Sequence, residues 1–367
     1  MRKFMFSYVL FILVAFLVSL SVYMISNNAF GQNENKNNNN INDSRPNILV
    51  IMGDDFGFSD LGVFGSEIST PNLDQLGKEG KILTNYYTHP VCSPARGTFL
   101  TGVDNHIVGI GTMFENMAPN QVNKTGYETY ITDRVVTVSE LLRDAGYDTL
   151  LSGKWHLSGK GYHEGTGPAD RGFDQSFTLL ESGANHFTYE PYYPSGVTTF
   201  IENGKIVEKP NGTQFSNEFY TDKMINFIKT SSKENNNNKP FFAYLAFQAA
   251  HTPFQAPPEY IKKYEGVYDA GWDKIREQRF EKQKELGIWP SNMTLPQSLP
   301  TFPDWNELPV NEQKQRSQIF AAHAGMIEDM DYNIGKLIQF LKDTGQYNNT
   351  LICLLQTMVV VNHLILL

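Results

Sequence analysis

The sequence predicts an α/β fold, a mostly parallel mixed sheet sandwiched by helices. Three observations predict it. Short β-branched apolar runs alternate with amphipathic helical stretches along the chain, no internal repeat recurs, and three of the apolar runs end in polar clusters. Those clusters are Asp54 with Asp55, Lys154 with His156, and His251. In open α/β sheets ligands bind beyond the carboxyl ends of strands, so the three ends are expected to converge on one site.

The elements follow in order. "NILVIM" after Arg45-Pro46 reads as a buried strand that ends in "GDDFGFSD". A capped helix is expected from Thr70-Pro71 through "NLDQLGKEG", with Pro suited to the first turn and Gly80 to the stop. "KILTNYYT" reads as a strand and leads to the Cys92 segment. "TVSELLRDAG" is a helix capped by Thr137 and ended by Gly146, and "YDTLLSGKWH" is a strand running into polar residues. "SNEFYTDKMINFIKTSS" is a further amphipathic helix, followed by the strand "PFFAYLAFQ" leading into "AAHTPF". From Asn311 to Thr344 helical periodicity gives an apolar face through Ile319, Met326, Met330, Ile334, Leu337 and Leu341. "NNTLICLL" reads as a last strand.

Before residue 46 no core-forming pattern is found. Met1-Arg2-Lys3 precedes a long apolar stretch, read as an export signal within residues 1–31 that is cleaved or, at about 20 apolar residues, kept as an anchor. Residues 32–45 are an Asn-rich, disordered tether. The location expected is secreted, periplasmic or cell-surface. A net charge of -9 disfavours nucleic acid, so an anionic substrate needs a local cluster of cations. Two cysteines do not make a disulfide scaffold, and a Cys92–Cys353 bridge is the plain structural alternative. Five glycosylation sequons begin at Asn42, Asn123, Asn211, Asn292 and Asn348.

The polar residues suggest chemistry. Adjacent carboxylates at a strand end, Asp54 and Asp55, can grip a hard divalent cation if the backbone leaves strand geometry there. Lys154 and His156 alternate across Trp155, so a continuing strand would aim both one way, a fixed cation beside a titratable group. Cys92 at a helix start with Arg96 one turn on is expected to have a lowered pKa, and a thiolate nucleophile is one reading of it.

The Cys-x-Pro-x-Arg pattern of "CSPARGTFLTG" resembles the signature of the type I sulfatases of the alkaline phosphatase superfamily. The resemblance also covers "NILVIMGDDFGFSDLGVFGSEISTPNLDQLGKEG", "TDRVVTVSELLRDAGYDTLLSGKWHLSGK", "RGFDQSF", "FFAYLAFQAAHTPFQAPPEY" and "MIEDMDYNIGKLIQFLKDTGQYNNTLI", and looks nearest to bacterial-type arylsulfatases. It implies a sulfuric ester hydrolase. In that family Cys92 matches the residue that a formylglycine-generating enzyme converts to an aldehyde, and Asp54, Asp55 and Cys92 match ligands of a Ca²⁺ or Mg²⁺ ion. It further implies that Arg96 and Lys154 anchor the diol and the sulfate oxygens, His251 protonates the leaving alcohol, and His156 takes the proton that lets sulfate depart. The substrate would be a small-molecule or glycan sulfate ester. A phosphonate or phosphate ester hydrolase of the same superfamily, or a non-catalytic domain that binds sulfated ligands, are the alternatives.

The resemblance spans residues 46–352 as a catalytic domain, without the family's C-terminal subdomain. Where the family continues into a Ser-Asp-Asn-Gly segment that completes the metal site, this chain reads "CLLQTMVVVNHLILL", with no Asp after Asp343. Permitted codons for Ile352 to Val361, read from the third base, spell Leu-Leu-Thr-Ser-Asp-Asn-Gly-Gly. Residues 353–367 are therefore expected to be an out-of-frame tail, and the chain as written to bind metal weakly and turn over little. The other reading is a real apolar strand.

Overall fold

The computed structural model describes residues 45–357 and 362–366, apart from 194–195, 213, 235–238, 299 and 302. The expected export signal and most of the expected tether, residues 1–44, lie outside the described residues. Among those described, no helix is long and apolar enough to cross a membrane.

Nine described strands form one sheet. They are β1 (Asn47–Gly53), β2 (Lys81–Tyr86), β3 (Asp148–Lys154), β4 (Gln175–Leu179), β5 (Phe200–Glu202), β6 (Lys205–Val207), β7 (Phe241–Ala246), β8 (Thr350–Gln356) and β9 (Asn362–Leu366), in the order β2-β9-β8-β1-β7-β3-β4-β5-β6. The five central strands β8, β1, β7, β3 and β4 run parallel, and both edges turn antiparallel. The tail thus enters the sheet as β9, between β2 and β8. The helices are α1 (Pro71–Glu79), α2 (Cys92–Thr101), α3 (Asn105–Val108), α4 (Val138–Asp144), α5 (Ser216–Glu234), α6 (Pro258–Lys263), α7 (Trp272–Glu285) and α8 (Val310–Asp343).

Both faces of the sheet are covered, which is why its strands are almost wholly apolar. Along β1, Leu49 and Ile51 join Met326, Met330 and Ile334 of α8 in one core, while Val50 and Met52 join Leu100 of α2 and Trp155 in the other. Local signals set the helix ends. Thr137 and Glu140 form a reciprocal capping box at α4, with the Thr137 Oγ1 accepting from the Glu140 N–H at 3.1 Å. Helix α1 begins at Pro71 as expected, but Thr70 does not cap it: Asp331 of α8 accepts from the N–H groups of Asn72 at 3.2 Å and Leu73 at 2.8 Å. A cap from 259 residues along the chain leaves no mark near Thr70.

The apolar face expected for α8 needs one correction. Met326, Met330, Ile334, Leu337 and Leu341 are fully buried, whereas Ile319 is 39% exposed. The first turns of α8 run past the edge of the core.

Candidate functional site

The site lies at the carboxyl end of the sheet, where β1, β3, β7 and β8 stop side by side. Asp54 follows β1 and is fully buried. Asp55 takes a left-handed backbone, φ 58°, so the chain leaves strand geometry at the residue where the pairing of two carboxylates requires it. Gly153 in β3 has φ 120°, and a Cβ there would lie 1.8 Å from the Ala246 carbonyl oxygen. Only glycine permits β3 to approach β7 this closely just before Lys154.

Three side chains meet on Asp54, two of them charged. Lys154 Nζ donates to its Oδ2, Arg96 Nη2 lies 3.4 Å from its Oδ1, and Thr357 Oγ1 donates to the same Oδ1. Arg96 Nη1 also donates to the Lys154 carbonyl oxygen at 2.9 Å, tying α2 to β3. Burial raises the Asp54 pKa, but Lys154 and then Arg96 outweigh it and hold the carboxyl far below its usual range. Asp55 is different. Burial, followed by the charge of Asp54, pushes it up to about 6.

Cys92 begins α2 as expected, and its Sγ lies 3.7 Å from Asp55 Oδ1. The expected lowering of its pKa is overturned. Burial and then the Asp54 carboxylate push the thiol up to about 12, and Lys154 and Arg96 do not compensate. Neither Cys92 nor Cys353 is in a disulfide. As a thiol, Cys92 stays protonated and is a poor nucleophile.

His251 Nε2 is 3.7 Å from Asp55 Oδ2, and its Nδ1 donates to the Thr252 carbonyl oxygen at 2.7 Å. His156 reaches the site differently from the alternation expected. β3 ends at Lys154, and His156 has a left-handed backbone with φ 57°. Its Nε2 lies 3.4 Å from Glu115, a residue that no motif in the sequence marks. Burial lowers His156 to about 4 despite that carboxylate, and Glu115 is itself held at about 2, burial being outweighed by the His156 hydrogen bond. Glu115 is therefore ionised and His156 neutral at neutral pH. The Nε2–H then donates to Glu115 and the buried Nδ1, which has no hydrogen-bond partner, is left as a proton acceptor.

A cation fits this donor set. Asp54, Asp55 and Cys92 each present one ligand atom, all within 4.8 Å of one another, and two hard carboxylates suit an oxygen-seeking divalent ion. The buried Arg96 Nε has no hydrogen-bond partner, a spare donor that suits a site built to receive oxygen ligands.

The Sulfatase family model matches residues 46–355. The chain is 41% identical over 319 residues to an uncharacterised sulfatase of Schizosaccharomyces pombe, covering 84% of this chain and 56% of that protein. It is 40% identical over 318 residues to an arylsulfatase of Klebsiella aerogenes, covering 85% of this chain and 65% of that one. The chain thus spans less than two thirds of the length of either relative. Among solved structures, Ps i-CgsB in complex with k-i-k-neocarrahexaose superposes with a TM-score of 0.59 at 28% identity, over 85% of this chain and 58% of that one. With this fold, this constellation and these relatives, the chain belongs to the sulfatase family, as a type I sulfatase of the alkaline phosphatase superfamily.

Proposed function

We propose that the protein hydrolyses sulfate monoesters to an alcohol and inorganic sulfate, with Cys92 matured to formylglycine. Family membership implies a metal and a formylglycine made from the cysteine; the ion we infer is Ca²⁺, with Mg²⁺ the other hard cation the carboxylates suit. One observation carries the reading. Cys92 sits against Asp55 beside two buried cations, in a setting that makes the thiol itself inert.

Hydrated formylglycine supplies an oxygen to attack sulfur and a second hydroxyl whose deprotonation lets sulfate leave. A bound cation supplies Lewis-acid polarisation of the transferring group. Asp54 and Asp55 would hold that cation. Lys154 and Arg96, kept charged and immobile by Asp54, stabilise the negative charge of the sulfuryl oxygens without reorganising during the reaction. His251, held by its Nδ1–H on the Thr252 carbonyl, would give a proton to the departing alcohol from Nε2 in its imidazolium form and be left neutral with Nδ1 still protonated. His156 accepts a proton at Nδ1, its tautomer set by Glu115.

Maturation requires a formylglycine-generating enzyme as partner, and the apolar N-terminal stretch supports export to a secreted, periplasmic or surface location. The test is a parallel assay of the sulfate, phosphate and phosphonate monoesters of 4-nitrophenol, using protein produced with the maturing enzyme. Sulfate is expected to be the preferred ester, and Cys92→Ala to abolish turnover. Faster release from phosphate or phosphonate, or unchanged activity in Cys92→Ala, contradicts the reading.

A further inference from the structure

Two neighbouring cavities lie on the α7–α8 side of Asp55, and apart from Asp55 and Thr252 their lining takes no part in the chemistry above. The inner one, about 480 Å³, has Asp55 on its wall and Phe254, Ile319 and Phe320 among its other lining residues. The outer one, about 840 Å³, shares Trp272, Phe320 and His323 with it, so these three form the partition between them.

The apolar residues of the inner cavity are uncovered. Phe254, Ile319 and Phe320 are 40%, 39% and 37% exposed, although Ile319 belongs by periodicity to the same stripe as the fully buried Met326 and Met330. The spacing of Arg316, Ile319, Phe320 and His323 places them on one face of α8. An apolar stripe that continues beyond the core and around a concavity marks a ligand surface. The partition is built of packed rings: Phe254 meets His323 edge-on at 5.8 Å between centroids, Tyr268 packs on Phe320 at 5.6 Å, and Trp272 on Trp305 at 4.9 Å. Helix α7 is pinned in place by Arg279, whose Nη1 donates to Asp60 at 2.5 Å and Nε to Glu67 at 2.7 Å.

The chemistry of the lining narrows the occupant. Arg316 is already paired with Glu312 at 2.6 Å and lies over the Trp272 ring at 5.6 Å, so its charge is answered within the fold. Hydroxyls would find partners only at the polar part of the lining, Thr252, Thr301, Arg316 and His323, whereas Phe254, Ile319, Phe320 and Trp272 offer apolar faces that suit flat rings. Size narrows it further. An apolar cavity of about 150 Å³ accommodates benzene, so the inner cavity has room for about three rings.

We propose that the inner cavity is the subsite of the departing alcohol and that this alcohol is a flat, apolar, multi-ring one, with its oxygen toward Asp55 and its far edge against the Trp272–Phe320–His323 partition. The proposal rests on the sulfatase reading and adds the substrate class to it. Binding to the full chain is measured by quenching of tryptophan fluorescence with 9-phenanthrol, phenol and glucose. 9-Phenanthrol is expected to bind more than about tenfold tighter than phenol, and glucose not to bind. Ile319→Asp and Phe254→Ala are each expected to weaken 9-phenanthrol about tenfold while leaving the unfolding temperature unchanged. Equal affinity for phenol and 9-phenanthrol, or full affinity in both variants, overturns the proposal. The 4-nitrophenyl sulfate assay, run at saturating Ca²⁺ because the metal is expected to bind weakly, separates the two layers: turnover with no preference for 9-phenanthrol refutes the multi-ring alcohol alone, whereas 9-phenanthrol binding with no detectable turnover by matured protein refutes the reaction on which the substrate class rests.

Discussion

Asp54 and Asp55 are neighbours with opposite electrostatics. Asp54 is held ionised by Lys154 and Arg96 after burial is overcome, while Asp55, facing the thiol and His251, is raised by burial and by Asp54 itself. The pair was legible only together with the motifs around it, since adjacent carboxylates at a strand end are more often a solvated turn; the difference between them was not, since it depends on cations brought from α2 and β3. Glu115 shows the limit more sharply. Its partner is 41 residues away and no spacing rule links them. The signs for His156 are definite. Burial lowers its pKa from the usual 6.5 to about 4, so the neutral, proton-accepting form is present above that value and is lost as pH falls through it. Turnover should decline on the acid side near pH 4 if this step limits the rate. Glu115→Gln removes a charge that raises His156, so the acid limb should move lower. It also frees the tautomer, and kcat should fall about 100-fold. A pH–rate profile of the variant checks both; an unchanged kcat assigns Glu115 no positioning role.

At the scale of elements, β1, β2, β3, β7 and β8 and helices α1, α4, α5 and α8 were readable from periodicity, whereas β4, β5, β6, α3, α6 and the largely polar α7 were not, and neither was the use made of one helix by others. Helix α8 caps α1 through Asp331, carries the cavity wall at Ile319 and Phe320, and buries Asp329 against α5. Asp329 Oδ2 accepts from Asn217 at 2.9 Å and Asn333 at 3.3 Å, yet the amide oxygens of both asparagines lack a donor. Burial raises the Asp329 pKa from 3.8 to about 7. Between those values the folded chain keeps a proton that the unfolded chain has released, so this group's contribution to stability falls as pH rises across the window. Asp329→Asn removes that dependence. It should stabilise the protein by about 1–3 kcal/mol at pH 8 and by little near pH 4, as read from urea unfolding at the two pH values. Equal effects at both would show that Asp329 is not buried as an acid.

Across the whole molecule, the sheet brings β1, β3, β7 and β8 to one edge, and the sequence motifs at their ends become one site only through that topology. The tail enters the same edge. Gln356 and Thr357 are buried at the end of β8, and Thr357 Oγ1 contacts Asp54. That is the neighbourhood in which the shifted reading frame would place Asp-Asn. Two carboxylates and one oxygen from residue 92 fall short of the six to eight oxygens preferred by Ca²⁺, and we expect weak binding. Thr357→Asp adds a carboxylate beside Asp54. Titration calorimetry should show Ca²⁺ affinity increased about tenfold or more, and no gain would place the cation elsewhere.

Cys92 is proposed to be a precursor and not itself the reacting group. Mass spectrometry of the tryptic peptide spanning residues 82–96, from protein produced in a host that carries a formylglycine-generating enzyme, tests it most directly. An aldehyde is expected in place of the thiol at residue 92. An unmodified cysteine in protein that hydrolyses sulfate esters would contradict it.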